Sequence, residues 1–342
     1  MKSEDEALPK VSIMIPTYNR AHYLAEAIET SLDQDYQNFE VIVSDNSSTD
    51  GTDERVKKYF RDPHFRYFRN DRNLGSLRNF ENLIYSYATG EFGHYLMDDD
   101  YFIDRDHLKK AMRIVRKYDV GTVFSGSVSR YREEKIGRSL SLGLDEVVSR
   151  QWWLDNLCKT RGGLTFFPCN GSGMLFKIET AKRLDAFREG QLYGDYELAI
   201  KCILSESNTG YIKEPQYVER RHEEQDGRTS YPNAFQGTMI FHRVYQFGCD
   251  LGIDPRTMDQ VRFRGFQYFT KVFLLHNWIL EKGNSWSSLR GFLAELKKFD
   301  PRLPWAALRD PNTMAQFIFY DTFIYRFLKK LYLRLRVLAH RH

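Results

Sequence analysis

The sequence predicts an α/β fold in which a mostly parallel sheet is flanked by helices and followed by a helical C-terminal extension. Three observations predict it. Short apolar runs alternate with helical patterns of about 10–15 residues through the first part of the chain, which implies crossover units and parallel strands. Polar clusters stand where the apolar runs end, and sheets of this kind bind ligands at the carboxyl ends of their strands. After about residue 231 the strand signals fade and helical spacing takes over.

The elements follow in order. Residues 11–15 (VSIMI) are an apolar run stopped by Pro16, which lacks a ladder N–H. Residues 21–32 read as a helix. Residues 39–44 (FEVIVS) form a second strand, followed by a polar loop over 45–51 and a helix over 52–60. A third strand is expected over 65–70, a helix over 76–88, and a fourth strand over 92–97 that ends at Asp98-Asp99-Asp100. Residues 105–118 look helical and 121–130 extended. Residues 132–149 show no period and read as a variable loop region. A strand over 171–176, helices over 179–184 and 195–205, and a strand over 211–218 come next. Beyond them 234–247, 255–281, 286–299 and 311–339 read as helices. The expected division is residues 1–230, in two parts over 10–130 and 131–230, then a helical region over 231–342.

Composition narrows the function classes. The 342 residues are 42% hydrophobic and 28% charged, so a sizeable core is expected and disorder is not. Fifty Lys+Arg against 46 Asp+Glu give a net charge of +4, too small for a nucleic-acid binder. The polar start MKSEDEALPK has no apolar core of a secretory leader. No run approaches the roughly 18 apolar residues of a membrane span. Cys158, Cys169, Cys202 and Cys249 lie far apart without a CxxC pair, so neither a zinc site nor a disulfide framework is expected. These features point to a cytoplasmic chain.

Three clusters could carry chemistry. Asp98, Asp99 and Asp100 repel one another unless they are solvated or neutralised, and a divalent cation is the usual neutraliser. Oxygen ligands favour Mg²⁺ or Mn²⁺ over zinc. Adjacent residues of an extended chain point opposite ways, so not all three reach one ion. The second cluster, Ser44 to Thr52, follows a strand and precedes a helix. It offers groups for a base or sugar and a helix N-terminus for an anion. The third is Pro16-Thr17-Tyr18-Asn19-Arg20. Taken singly, a solvated loop, an ordinary helix cap and a strand-stop turn explain them as well.

Taken together, IPTYNR, VSDNSSTDGT, NLGSLRN and LMDDD, in this order and spacing, resemble the family 2 glycosyltransferases with the GT-A fold. The resemblance covers roughly residues 10–225. It implies that 1–230 form the GT-A catalytic domain, with the donor site in 10–130 and the acceptor side in 131–230. It implies that Pro16, Thr17 and Tyr18 line the base pocket, and that Asp45 hydrogen-bonds the base. Arg20, Asn73 and Arg78 are implied to lie at the nucleotide sugar, with Arg72 near the same loop. It implies that Asp98 meets the ribose. Asp99 is implied to hold Mg²⁺ or Mn²⁺, with Asp100 as the alternative ligand and His222 near the diphosphate or metal. Asp195 matches the family's catalytic base at a helix start. Three departures stand out. Asn46 replaces a second Asp, Gly194 replaces the usual Glu before the base, and Met97 stands where many members have the first Asp of DXD. The Gln-x-x-Arg-Trp element of processive synthases is absent.

The resemblance implies an inverting, metal-dependent transferase that uses a nucleotide-diphosphate sugar, with UDP as the expected carrier. The implied acceptor is a glycan or lipid-linked hydroxyl of surface polysaccharide or glycolipid synthesis. A sugar-1-phosphate nucleotidyltransferase is the alternative enzyme, although Pro16-Thr17-Tyr18 stands where that class has a Gly-rich loop. A non-catalytic sugar-nucleotide-binding protein is the alternative outside enzymes, and Asn46 and Gly194 keep it open. Asn170-Gly171-Ser172-Gly173 admits a close approach of an acceptor sugar or a simple turn. Trp152-Trp153 admits a sugar platform but reads better as helix core.

The last 21 residues differ from the rest. Phe323, Ile324, Phe327, Leu328, Leu331, Leu335 and Leu338 share one face at helical spacing. Arg326, Lys329, Lys330 and Arg336 fall on the other, with Leu333 and Val337 intruding. Such a helix suits the anionic inner face of a membrane, or a packing or homo-oligomer interface. With Arg334 and Arg341 the segment holds six cations and no acid, so residues 1–321 carry 44 basic against 46 acidic side chains.

Overall fold

A computed structural model describes residues 8–131, 136–140, 142–161, 164–165, 171–188, 194–222, 231–269 and 286–309. The chain divides into two compact units, Met1–Glu224 and Gln225–His342.

The first unit is built on a ten-stranded sheet. Its N-terminal strands are β1 (Val11–Thr17), β2 (Phe39–Asp45), β3 (Phe65–Arg69) and β4 (Phe92–Tyr95), and they lie parallel in the order β3-β2-β1-β4. Every residue of β1 and β2 is buried. That is the signature of central parallel strands covered on both faces, and it is why these segments read as unbroken apolar runs. The register runs from Val11↔Phe39 to Thr17↔Asp45, and from Val11↔Phe92 to Met14↔Tyr95. The carboxyl ends of β1, β2 and β4 therefore open on one edge. The expected stop at Pro16 does not occur, because β1 runs on to Thr17. Pairing with β4 ends at Met14, so the missing N–H of Pro16 breaks no bond there.

The sheet continues through strands of mixed direction. These are β5 (Tyr101–Phe102), β6 (Thr122–Tyr131), β7 (Ile136–Leu140), β8 (Val147–Ser149), β11 (Met174–Lys177) and β12 (Asn208–Arg221). β11 lies antiparallel between β4 and β6, β12 runs parallel to β6, and β5 closes the edge antiparallel to β12. β7 and β8 join from the region read as a loop. The short pair β9 (Thr160–Arg161) and β10 (Leu164–Thr165) stands apart. β12 outruns the expected strand at both ends, with register breaks around Pro215. Its last residues, Glu219 to Arg221, carry the chain to His222.

Helices cover the sheet. α1 (Ala21–Leu32) buries Leu24, Ala27, Ile28 and Ser31 at helical spacing. α2 (Thr52–Val56) passes into a 3₁₀ turn, Lys57–Tyr59. α3 (Ser76–Asn82) passes into a π turn, Leu83–Tyr87, so two helices expected as continuous change pitch. α4 (His107–Tyr118), α5 (Arg150–Asn156), α6 (Ile178–Arg183) and α7 (Gly194–Ser205) complete the layer. Trp153 of α5 is fully buried and donates Nε1–H to Thr209 Oγ1 at 2.9 Å, which makes it core.

The second unit is helical throughout its described residues: α8 (Tyr231–Asp250), α9 (Pro255–Phe269), Trp286–Phe299 and Leu303–Arg309. Gly265 of α9 meets the ring of Phe241 on α8, where any side chain would collide. Asp254 caps α9 by accepting from Thr257 N at 3.0 Å. Among the described residues no helix is long and apolar enough to cross a membrane. Residues 270–281 of one expected helix, and all of 311–339, lie outside the described residues.

Candidate functional site

Two loops are locked together where β1 and β2 end. Asn19, at φ 53, accepts Thr49 N on its side-chain oxygen at 2.7 Å and donates its own N–H to Ser48 Oγ at 2.9 Å. Asp50 accepts Ala21 N at 2.9 Å and the Thr52 hydroxyl at 2.6 Å, so one carboxylate caps both α1 and α2. Ser47 also takes a left-handed backbone, φ 67. Such conformations persist only where surrounding bonds enforce them, as they do here.

Asp45 lies beneath this loop with no exposed surface. One oxygen accepts Ser48 N at 2.8 Å, and the other accepts the Tyr67 hydroxyl at 2.6 Å and Arg69 at 3.3 Å. Both oxygens are thus engaged inside the protein. Burial and the Asp45 charge push the Tyr67 phenol well above its ordinary value. Asn46, the departure from the family pattern, donates to Asn73 Oδ1 at 2.8 Å and accepts Leu74 N at 2.9 Å. Asn70 donates to Asn46 and to Asn79, both at 3.1 Å, and Asn79 exchanges bonds with Ser44. This amide network, from three separate elements, fixes the loop that carries Arg72 and Asn73. The sequence had offered Asn46 and Asn73 as residues but not their bond.

The three aspartates divide their work. All are at least 95% buried. Asp98 accepts from Thr17 Oγ1 at 2.8 Å and from Arg20 at 3.0 Å. Burial, opposed by Arg20, pushes its carboxyl up to about 7. Asp100 turns to the other side, where Ser172 Oγ donates to it at 2.6 Å and Arg220 N at 3.2 Å. Burial and the neighbouring Asp99 charge raise Asp100 well above the usual carboxylate range. Asp99 Oδ2 receives His222 Nε2 at 2.9 Å and lies 3.4 Å from Arg20. The pairing of Phe102 with Tyr217 across β5 and β12 brings these partners together.

A basic and aromatic wall closes the same point. Arg220 donates to the Asp99 carbonyl at 2.8 Å and pairs with Glu26. Its guanidinium lies 5.2 Å from the Tyr23 ring and 4.6 Å from the Tyr101 ring. Tyr23 also packs against His222, with ring centroids 4.7 Å apart and the planes tilted by 35°. Arg220, Tyr23 and Glu26 were not among the expected site residues. Their signal was the unexpected length of β12 and the first turns of α1, visible only once the strands pair.

Asp99 and His222 present one carboxylate oxygen and one imidazole nitrogen at a single point. His222 Nδ1 is buried without a hydrogen-bond partner among the described residues. This donor set fits a Mg²⁺ or Mn²⁺ ion whose remaining positions come from water and phosphate oxygens. Among the described residues no three His, Cys, Asp or Glu gather to hold a metal, and Asp100 does not join the pair.

Asp195 opens α7 and is partly buried. Burial pushes its carboxyl up to about 6, against the pull of the N–H groups of Tyr196 and Asp195 itself. Its charge also acts on the phenol of Tyr95, at the end of β4. Gly194 has a packing reason: a Cβ there would stand 2.7 Å from Phe187 Cδ1. Phe187 in turn stacks 5.0 Å from Phe80. Tyr18 is 44% exposed at the end of β1, while Pro16 and Thr17 are buried beside it. Arg78 is drawn elsewhere, paired on the surface with Glu81 at 2.6 Å.

Residues 12–180 match the family model described as glycosyl transferase family 2. This chain carries a family 2 glycosyltransferase domain. Curated relatives of the domain include a GalNAc(5)-diNAcBac-PP-undecaprenol beta-1,3-glucosyltransferase of Campylobacter jejuni, 36% identical over 27% of this chain and 30% of that protein. The poly(ribitol-phosphate) beta-N-acetylglucosaminyltransferase TarS of Staphylococcus aureus is 32% identical over 32% of this chain and 19% of its own length. The matches therefore span less than a third of these relatives. The crystal structure of S. aureus TarS 1-349 with UDP superposes with a TM-score of 0.66 at 19% identity, covering 95% of this chain and 91% of that one. A mannosyltransferase of Pyrobaculum calidifontis, in complex with GDP-Man and Mn²⁺, gives 0.52 at 17% identity over 92% and 89%. These likenesses establish the GT-A fold for the family 2 domain.

Proposed function

We propose that the chain is an inverting glycosyltransferase that moves a sugar from a UDP-sugar to a hydroxyl of a glycan or lipid-linked acceptor. The observation that carries this reading is the convergence of Thr17, Arg20, Asp98, Asp99 and His222 at the carboxyl ends of β1 and β4. The family of the domain, and relatives named for undecaprenol-linked and ribitol-phosphate acceptors, support it.

In this reading the base stacks on Tyr18 above Pro16 and Thr17, with Asn73 at its edge. Asp45 shapes that pocket from beneath through the Ser48 bond. Asp98 takes the ribose hydroxyls. Asp99 and His222 would hold the Mg²⁺ or Mn²⁺ ion, which supplies charge stabilisation for the departing diphosphate. Arg20 and Arg220 add positive charge at the same place. Asp195 accepts the acceptor hydroxyl's proton as that oxygen attacks the anomeric carbon, and the sugar–phosphate bond breaks on the opposite face. The anomeric configuration is thereby inverted. A carboxyl near 6 is ionised at neutral pH yet basic enough to take a proton. The reaction belongs on the cytoplasmic side of a membrane, where the basic tail over residues 322–342 would meet anionic lipid.

The test is a panel of nucleotide sugars with and without Mn²⁺, read by thermal stabilisation and by nucleotide release. UDP-sugars should stabilise the chain and release UDP only with Mn²⁺. Pyrophosphate release from UTP and a sugar phosphate would replace this reading with nucleotidyl transfer.

A further inference from the structure

Arg20 stands where a second cation is least expected. Its NH1 lies 3.0 Å from Asp98 Oδ1 and 3.4 Å from Asp99 Oδ2. That same Asp99 oxygen receives His222 Nε2 at 2.9 Å. The three side chains are 16%, 7% and 13% exposed for Arg20, Asp99 and His222, so water screens them little. A divalent ion on the Asp99 oxygen and the His222 nitrogen would meet a guanidinium already turned to that oxygen.

We propose that Arg20 is a resident counter-ion which holds the Asp99 carboxylate until the donor arrives, so that the divalent ion and the nucleotide diphosphate bind as a coupled pair. The inference rests on the donor-site reading above and adds the order in which the charges are exchanged. In the free protein one Arg20 nitrogen faces both Asp98 and Asp99. The ion alone competes with that guanidinium for one oxygen and is repelled by it. A diphosphate changes the balance, because its oxygens accept a guanidinium in paired, charge-assisted bonds that a single carboxylate oxygen at 3.4 Å does not match. As Arg20 turns to the phosphates, Asp99 Oδ2 is released to the ion. Arg220 is not suited to this exchange. It is held by the Asp99 carbonyl and Glu26, with its guanidinium near the rings of Tyr23 and Tyr101. Linkage makes the coupling reciprocal: UDP tightens the ion by the factor by which the ion tightens UDP.

Calorimetry and the paramagnetic resonance of free Mn²⁺ test this on the full chain, with Mn²⁺ and UDP as probes. In the wild type, saturating UDP should tighten Mn²⁺ about tenfold or more, within the usual range of coupling between sites. Arg20→Met should tighten Mn²⁺ several-fold in the absence of UDP, weaken UDP, and lower the coupling to the part that direct contact between the ion and the diphosphate oxygens supplies. Arg20→Gln keeps a donor for Asp98 without the charge and should behave alike, which preserves the test if the Met variant does not fold. Arg20→Lys keeps the charge and should keep most of the coupling. Unchanged or weaker Mn²⁺ binding in both neutral variants, with the coupling intact, overturns the role of Arg20 alone. A wild type that binds neither UDP nor Mn²⁺ overturns it together with the donor-site reading.

Discussion

In the proposed mechanism Asp195 is the base, and its surroundings suit it to that task. As the second residue of α7 it receives the N–H groups of Tyr196 and of Asp195 itself, which favour its anion, yet burial outweighs them and lifts the carboxyl to about 6. A base must be ionised to work, so its turnover falls as pH drops through about 6. We expect Asp195→Asn to lower kcat by about 10²–10⁴-fold, the usual worth of a general base, while calorimetry shows donor affinity unchanged. The acid limb near pH 6 should vanish from the residual activity. Unaltered turnover would remove Asp195 from the mechanism. The placement of Asp195 at a helix start was readable from the GDYE sequence, and so was that of Asp98 and Asp99 at a strand end. The partners were not. Asp45 is turned inward by Tyr67 and Arg69, which arrive from β3, and no local pattern near Asp45 announces that bond.

At the scale of elements, β4 and α4 meet through a buried histidine pair. His94 of β4 and His107, the first residue of α4, lie with ring centroids 4.8 Å apart, and each ring is within 5.1 Å of Phe102. His107 Nδ1 meets Gln216 Oε1 at 3.3 Å, while His107 Nε2 and both nitrogens of His94 have no hydrogen-bond partner among the described residues. Burial lowers both, His94 well below its ordinary value and His107 to about 4, with Gln216 and Asp104 working upward on His107 and Lys110 downward. These rings are neutral when folded and take protons more readily when unfolded. Stability they support at neutral pH is therefore lost as pH falls from about 6.5 toward 4, about 2 kcal/mol by pH 5 for His107 alone. Asp98 and Asp100 titrate the opposite way, since raised carboxyls stabilise the fold as they protonate. The difference between proteins isolates the histidine. Urea unfolding of wild type and His107→Gln should show a stability gap that shrinks by about 2 kcal/mol from pH 7 to pH 5. Parallel pH curves would refute it. The pair also marks where pattern reading stops: β4 and α4 were both legible as elements, but their contact spans a turn, and β5 is too short to give a period.

Over the whole molecule, the parallel half of the sheet was legible because buried central strands need unbroken apolar runs and the helices between them need an apolar stripe. The antiparallel half was less so. β7 and β8 lie where no period showed, and their pairing comes from β6 and β12 rather than from their own pattern. Charge is also distributed at this scale. Six of the fifty basic residues stand in the last 21 positions without an acid among them, beyond a body of near-balanced charge. Each Lys or Arg near an anionic surface adds about 1 kcal/mol of attraction, and the sequence spacing expects Phe323, Phe327 and Leu331 as apolar anchors on one helical face. The full chain should therefore sediment with phosphatidylglycerol vesicles, release with added salt, and bind phosphatidylcholine weakly. Removing residues 322–342 should abolish the anionic component while leaving UDP binding intact, because the donor residues lie in the first unit. Lys329→Glu with Lys330→Glu should weaken sedimentation in the same direction without removing the apolar face. A truncated chain that sediments equally well would reject the membrane role. A full chain that ignores vesicles but forms a dimer, lost on truncation, would assign the same segment to self-association instead.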